Sequence, residues 1–217
     1  MDAMITPAYK TEIDEIGRLA WTRLDQSDLS RVAWAYYYFS IQFRENLEAA
    51  VDLHPDDAKL ACLKSEECDT ANLSPWPGVA DAGERMNHDE FMRRLLALGT
   101  FDARTVHELK TLGETYLAEV RPYGAAIKAM SIASYEDGGL EAVFRAILTA
   151  PDWNSPLLQA FQHFLAEHIR FDSDPDQGHG ALSRHMLPDD RILPFWRKFR
   201  QLLVAAAPQL AAARLAA

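Results

Sequence analysis

The chain has 217 residues, of which 48% are hydrophobic and 25% charged, as in ordinary globular domains. Its formal charge of −10 argues against nucleic acid or an anionic membrane surface as the main partner, because both attract basic faces. The length is that of one domain, so residues 1–217 are predicted to form a single core that needs no disulfide or structural metal.

The compartment predicted from the sequence is the cytoplasm. Cys62 and Cys68 form neither a Cys-x-x-Cys pair nor a secreted disulfide framework, so a reducing environment is expected. The acidic stretch 1–17 lacks the apolar run of a signal peptide. No segment approaches the ~20 apolar residues that span a bilayer, so no membrane association is predicted.

Helical periodicity dominates the chain from end to end. A loop is predicted over 68–83, where two prolines and two glycines interrupt the pattern, and long loops inside domains are often functional. No strand or internal repeat is found, so the fold class is predicted to be all-α, a bundle of about seven to nine helices. In chain order, the predicted helices cover 11–25, 27–53, 55–67, 84–99, 102–121, 123–139, 140–150, 155–171 and 189–210, the last one bent or restarted at Pro194.

Helical bundles build metal sites from carboxylates and histidines on neighbouring helices, and the stretch 167–185 is the first candidate. His168 and Asp172 are four residues apart, so they share one face if the helix continues that far. His179 could fold back onto the same site. The alternative is a hydrogen-bonded surface pair, which is the commoner role of two such side chains.

Two further candidates come from earlier in the chain. Glu66 and Glu67 close one predicted helix, and His88 opens the next across the long loop, although solvated helix ends explain such residues equally well. Glu136 follows an apolar run, where a carboxylate is costly unless it is paired or binds a cation. Its alternative is to end the helix before Gly138.

Other chemistry has less support in the sequence. No glutamate is followed by histidine in a Glu-x-x-His pair, which argues against a ferritin-like protein. His-Glu-x-x-His, phosphate-binding and dinucleotide-binding glycine motifs are absent from the sequence. Cys62 and Cys68 could be nucleophiles, but small buried hydrophobes are the commoner role of free cysteines. The run 34–39, WAYYYF, is predicted to form core and pocket wall.

Taken together, the candidates resemble the haem-oxygenase-like di-iron oxidases and oxygenases, whose fold is shared with haem oxygenase, the TenA thiaminases and the PQQ-synthesis oxidase. Those proteins take a glutamate from one helix end, a histidine from the next helix start, a glutamate from a central helix and a final His-x-x-x-Asp-x-x-His motif. The similarity runs from about residue 30 to 205. The matching positions are Glu67, His88, Glu136, His168, Asp172 and His179.

Two departures from the family pattern leave individual ligands open. Six residues separate Asp172 from His179 where the strict motif has two, so the insertion may loop out or Asp176 may replace Asp172. The loop between Glu67 and His88 is longer than in the family, and Glu66 could replace Glu67. Asp172 is the preferred ligand because it keeps helical register with His168. His185 is expected to be a bystander or to support a ligand.

The resemblance implies two Fe(II) ions, O2 as co-substrate, and oxidation of a small organic substrate such as an amine, an amino acid or a fatty-acid-like molecule. A homodimer is compatible with it. Two alternatives within the fold are a metal-free enzyme like the TenA or PQQ branches and a non-catalytic ligand-binding protein. Haem oxygenase activity is not expected, because the first histidine in the chain is His54. If Glu136 and His168 point apart, the binding-protein alternative is favoured.

Overall fold

The computed structural model describes residues 6–71, 73, 75–172 and 179–215, with the backbone alone for 171, 172 and 212–215. The predicted all-α class is confirmed, since these residues contain helices and no strand, only two isolated bridges between Thr70 and Met86 and between Trp76 and Ala80. The α-helices are α1 (Ala8–Gly17), α2 (Gln26–Leu53), α3 (Ala58–Cys68), α4 (His88–Leu96), α5 (Ala103–Val120), α6 (Ala125–Ser134), α7 (Leu140–Ile147), α8 (Pro156–Asp172), α9 (His179–Ser183) and α10 (Leu193–Ala206).

The long helix α2 is the centre of the bundle. It packs against α3, α4, α5, α6, α8 and α10, so it buries residues on several faces along its 28 residues. Asp25 caps its start by accepting a hydrogen bond from the backbone N–H of Asp28 at 2.9 Å. Two polar side chains of α2 are buried and paired: Tyr116 donates to Gln42 at 2.8 Å, and Asn46 donates to Ser131 at 2.9 Å.

The predicted first helix is wrong at its C-terminal end. Helix α1 stops at Gly17, and the chain forms a 3-10 turn over Trp21–Arg23 in place of the predicted continuation to residue 25. The buried indole N–H of Trp21 donates to the carbonyl of Ile16 at 2.9 Å. This contact satisfies one of the carbonyls that a helix leaves without an intrahelical partner at its end.

The helix predicted over 123–139 is interrupted. Helix α6 ends at Ser134 and a π-helical turn follows over Tyr135–Gly139, after which the chain resumes as α7. Gly138 has a φ of +89°, a backbone conformation that glycine adopts without steric cost. The turn directs the side chain of Glu136 into the protein interior, and the residue is only 6% exposed. Such turns inside helices occur frequently at functional sites.

The C-terminal helices also refine the prediction. Helix α8 runs through Asp172, so the backbone meets the condition under which His168 and Asp172 share a face. Helix α10 begins at Leu193 with Pro194 in its first turn, where proline is well tolerated, so the predicted restart is confirmed. Among the helices described, none combines the length and the apolar character needed to cross a membrane.

Candidate metal centre

Five of the six predicted ligands reach one place in the bundle. Glu67 lies in the last turn of α3, His88 is the first residue of α4, Glu136 is in the π-helical turn, His168 is on α8, and His179 begins α9. A small cavity at this point is lined by Tyr36, Ser40, Phe43, Glu67, His88, Glu136, Leu140 and His168. Glu136 and His168 line the same cavity, so they do not point apart, which was the arrangement that would favour a binding protein.

The carboxylate of Glu67 is the central group. Its Oε2 lies 2.8 Å from Nδ1 of His88, and its Oε1 lies 2.7 Å from Nδ1 of His179. The side chain is 4% exposed and sits near the C-terminal end of α3, where the helix dipole is unfavourable for a negative charge. A buried carboxylate in this position is stable only if a positive charge lies next to each of its oxygens.

His88 and His168 form a first pair of candidate nitrogen ligands on the Oε2 side of Glu67. Nε2 of His168 lies 3.4 Å from Nδ1 of His88. Nδ1 of His168 lies 2.9 Å from the carbonyl oxygen of Phe164, which can only accept, so this nitrogen carries the proton. The lone pair of His168 is therefore on Nε2 and faces His88. Metal-binding histidines are commonly oriented by such a hydrogen bond from their other ring nitrogen.

His179 and Glu136 form a second pair on the Oε1 side of Glu67. Nδ1 of His179 lies 3.3 Å from Oε2 of Glu136, and one ligand atom each of Glu67, Glu136 and His179 lies within 4.8 Å of the others. The other ring nitrogen of His179, Nε2, lies 3.3 Å from Oε2 of Glu66. Glu66 is thus next to Nε2 of His179, while Glu67 is next to Nδ1 of the same ring.

The distances between ligand atoms fit metal coordination. Metal–ligand bonds of about 2.1 Å at right angles place two ligand atoms about 3.0 Å apart, and the observed separations run from 2.7 to 3.4 Å. Oε1 of Glu67 is buried and makes no hydrogen bond to the described residues, although Nδ1 of His179 is only 2.7 Å away. A buried carboxylate oxygen near a nitrogen, without hydrogen-bond geometry, is the arrangement expected of two ligands to one cation.

The ionisation of Glu67 suits this role. Burial would raise the pKa of its carboxyl, but the positive charges of His88 and His179 outweigh burial and hold the pKa of Glu67 well below its usual range. The group is therefore a carboxylate at neutral pH. Both of its oxygens carry lone pairs toward the neighbouring histidines.

The remaining sequence predictions have separate outcomes. The backbone of Asp172 is in α8, but its side chain lies outside the described residues, and so does all of Asp176. Of the two adjacent glutamates, Glu67 is the one inside the cavity. His185 lies away from the cluster and pairs with Asp57 at 2.6 Å, so it is a bystander. Both cysteines are free, and the expectation that they are buried is wrong for Cys62, which is exposed.

Sequence reasoning predicted a pocket wall in the run 34–39, which contains Tyr36, but it did not single out Ser40, Phe43 or Leu140. Tyr36, Ser40 and Phe43 follow one another at intervals of four and three along α2, so they lie on one face of that helix. Leu140, the first residue of α7, completes the wall. The spacing was visible in the sequence, but a stripe of this kind indicates a buried face and does not tell core from cavity.

Comparison with protein-family models, with curated protein sequences and with solved structures finds no match to this chain.

Proposed function

We propose that the chain is a non-haem di-iron oxidase or oxygenase with a haem-oxygenase-like helical fold, which activates O2 to oxidise a small organic substrate. One observation carries the proposal: the two oxygens of Glu67 face two different pairs of ligands, His88 with His168 and Glu136 with His179. A carboxylate between two ligand pairs is suited to bridging two metal ions.

The donor set supports iron as the metal. Imidazole nitrogens bind iron, zinc, copper and nickel, while carboxylate oxygens suit harder ions, so a mixed set of three histidines and two glutamates is appropriate for iron. Glu67 would belong to both ions, His88 and His168 to one, and Glu136 and His179 to the other. When bound, the two Fe(II) ions would supply the electrons for reduction of O2.

The chain's own residues would prepare the site in three ways. Phe43 and Leu140 exclude water from one side of the cavity, which strengthens electrostatic interactions inside it. The carbonyl of Phe164 fixes the ring of His168 with Nε2 toward the cavity. The carboxylate of Glu66 lies 3.3 Å from Nε2 of His179, and Nδ1 of that ring lies 2.7 Å from Glu67.

The substrate class in the proposal is an amine, an amino acid or a fatty-acid-like molecule, carried over from the family resemblance. The predicted cytoplasmic location also belongs to the proposal, and two free cysteines support it. A homodimer remains compatible with it.

The test is anaerobic loading of the apoprotein with Fe(II), removal of free metal, and counting of bound iron, followed by exposure to O2. The expected result is two iron ions per chain, uptake of O2 and a transient visible absorption band. His168→Ala should lower both the iron content and the band, whereas the control His107→Ala, at an exposed position on α5, should change neither. Iron at background level in the wild type and equally in His168→Ala would overturn the proposal and favour a non-catalytic binding protein.

A further inference from the structure

A second concave site lies on the other side of α2, away from the metal cavity. It is a groove of ≈ 440 Å³ between α2, α4 and α5, walled by aromatic rings that include Trp34, Tyr37 and Phe101. Pockets that hold small molecules usually have volumes of about 300–1,000 Å³ and largely hydrophobic or aromatic walls. Tyr36 and Ser40 line the metal cavity and Trp34 and Tyr37 line the groove, so the two sites use different faces of one helix.

The aromatic walls are fixed by contacts between the rings. Trp34 meets Phe101 edge-to-face at a centroid distance of 5.8 Å, and it meets Tyr37 in the same way at 6.3 Å. Such pairs stabilise one another beyond their buried area, so the walls are formed before any ligand arrives. The indole N–H of Trp34 is buried and makes no hydrogen bond to the described part of the chain. A buried donor in this state is costly, and an acceptor on a ligand would relieve it.

Positive charge stands at the rim of the groove. Arg93 and Lys110 both line it, and Arg93 is held by two hydrogen bonds to Glu90 at 2.6 and 2.7 Å. Lys110 makes no ion pair with the residues that the structure describes, so its ammonium is available to a ligand. Burial raises the pKa of Tyr37, and burial raises the pKa of Tyr38 to about 12, so both phenols remain neutral at physiological pH.

We propose that this groove binds a small amphipathic anion, with a flat aromatic body against the wall formed by Trp34, Tyr37 and Phe101 and a carboxylate head at Lys110. The aromatic walls select the body, since ring faces and edges stack favourably on a planar ligand. The ammonium of Lys110 selects a negatively charged head group on the ligand. The chain as a whole carries a charge of −10 and otherwise repels anions. The site goes beyond the proposed oxidase function, because it needs no metal.

The test is isothermal titration calorimetry of the metal-free full chain with 2-naphthoate, a planar aromatic carboxylate. Saturable binding with one ligand per chain and a dissociation constant below about 1 mM is expected. Lys110→Gln should weaken binding about five-fold, the effect of one partly exposed charge pair, and the neutral analogue 2-naphthalenemethanol should be weaker by a similar factor. The matched control is Lys59→Gln, at an exposed lysine on α3 that lies outside the groove, and it should leave the affinity unchanged.

A second variant separates the groove from nonspecific attraction to a cation. Trp34→Phe keeps an aromatic wall but removes the indole donor, and it should weaken 2-naphthoate binding while the unfolding midpoint in urea shows that the chain still folds. Absence of saturable binding in the wild type overturns the proposal. So does equal affinity in Lys110→Gln and Lys59→Gln, or equal affinity for the carboxylate and the alcohol.

Discussion

Comparing the variants Glu67→Gln and Glu136→Gln distinguishes a carboxylate that two metal ions share from one that binds a single ion. Glutamine keeps the size of glutamate but removes its charge and replaces one oxygen with an amide nitrogen that cannot bind a metal through a lone pair. The two oxygens of Glu67 face opposite pairs of candidate ligands, whereas Oε2 of Glu136 lies 3.3 Å from Nδ1 of His179 in one of those pairs. The first variant should therefore weaken both ions and the second only one.

The size of the effect follows from the number of ligands. Structural metal sites with four protein ligands bind with about 10–16 kcal/mol, or roughly 3 kcal/mol for each ligand. A loss of about 3 kcal/mol weakens an ion roughly a hundred-fold. In Glu136→Gln this loss falls on the ion between Glu67 and His179, while in Glu67→Gln it falls on both ions.

The assay is anaerobic titration with Fe(II) at micromolar concentration, with bound metal counted after rapid desalting. We expect two ions for the wild type, one for Glu136→Gln and none held tightly by Glu67→Gln. Far-ultraviolet circular dichroism of each apoprotein serves as the folding control. If Glu67→Gln retained as many ions as Glu136→Gln, the assignment of Glu67 as the shared ligand would be refuted.

Three further changes test other parts of the structure. Glu66→Gln should speed metal loss about ten- to a hundred-fold in a chelator-competition assay, because Glu66 orients a histidine ligand through its second nitrogen. Gly113→Ala should lower the melting temperature by several degrees, as the added Cβ would lie 2.1 Å from the ring of Tyr38 and overpacking costs about 1–3 kcal/mol. Burial would raise the pKa of Asp57, but its hydrogen bonds with His185 and with backbone N–H groups outweigh burial and lower that pKa. Asp57→Asn should therefore reduce the stability to urea above about pH 4. It should also flatten the loss of stability that the wild type shows as the pH falls below about 4.

The positions of the ligands were predictable wherever local periodicity decides them. His168 could be assigned from its helix, since the apolar pattern of α8 continues to its end, and His88 could be assigned to a helix start. The predicted start at residue 84 was four residues too early, because Asn87 caps α4 by accepting from the backbone N–H of Glu90.

The prediction was less complete where contacts distant in sequence decide the structure. The sequence left two alternatives for Glu136, which could end a helix before Gly138 or be buried. Both are observed, because α6 ends just before Glu136 and the turn that buries this residue leads directly into α7. The packing of α9 on this turn brings His179 to Glu136 across more than forty residues. The early end of α1 has a local origin instead, since the indole N–H of Trp21 donates to the carbonyl of Ile16 five residues earlier.

The most direct test of the central claim is a crystal structure of the protein grown or soaked anaerobically with Fe(II), with anomalous difference maps collected at the iron absorption edge. The account predicts two iron peaks on opposite sides of the Glu67 carboxylate, one next to His88 and His168 and the other next to Glu136 and His179. A single peak, or iron bound only elsewhere on the chain, would contradict it.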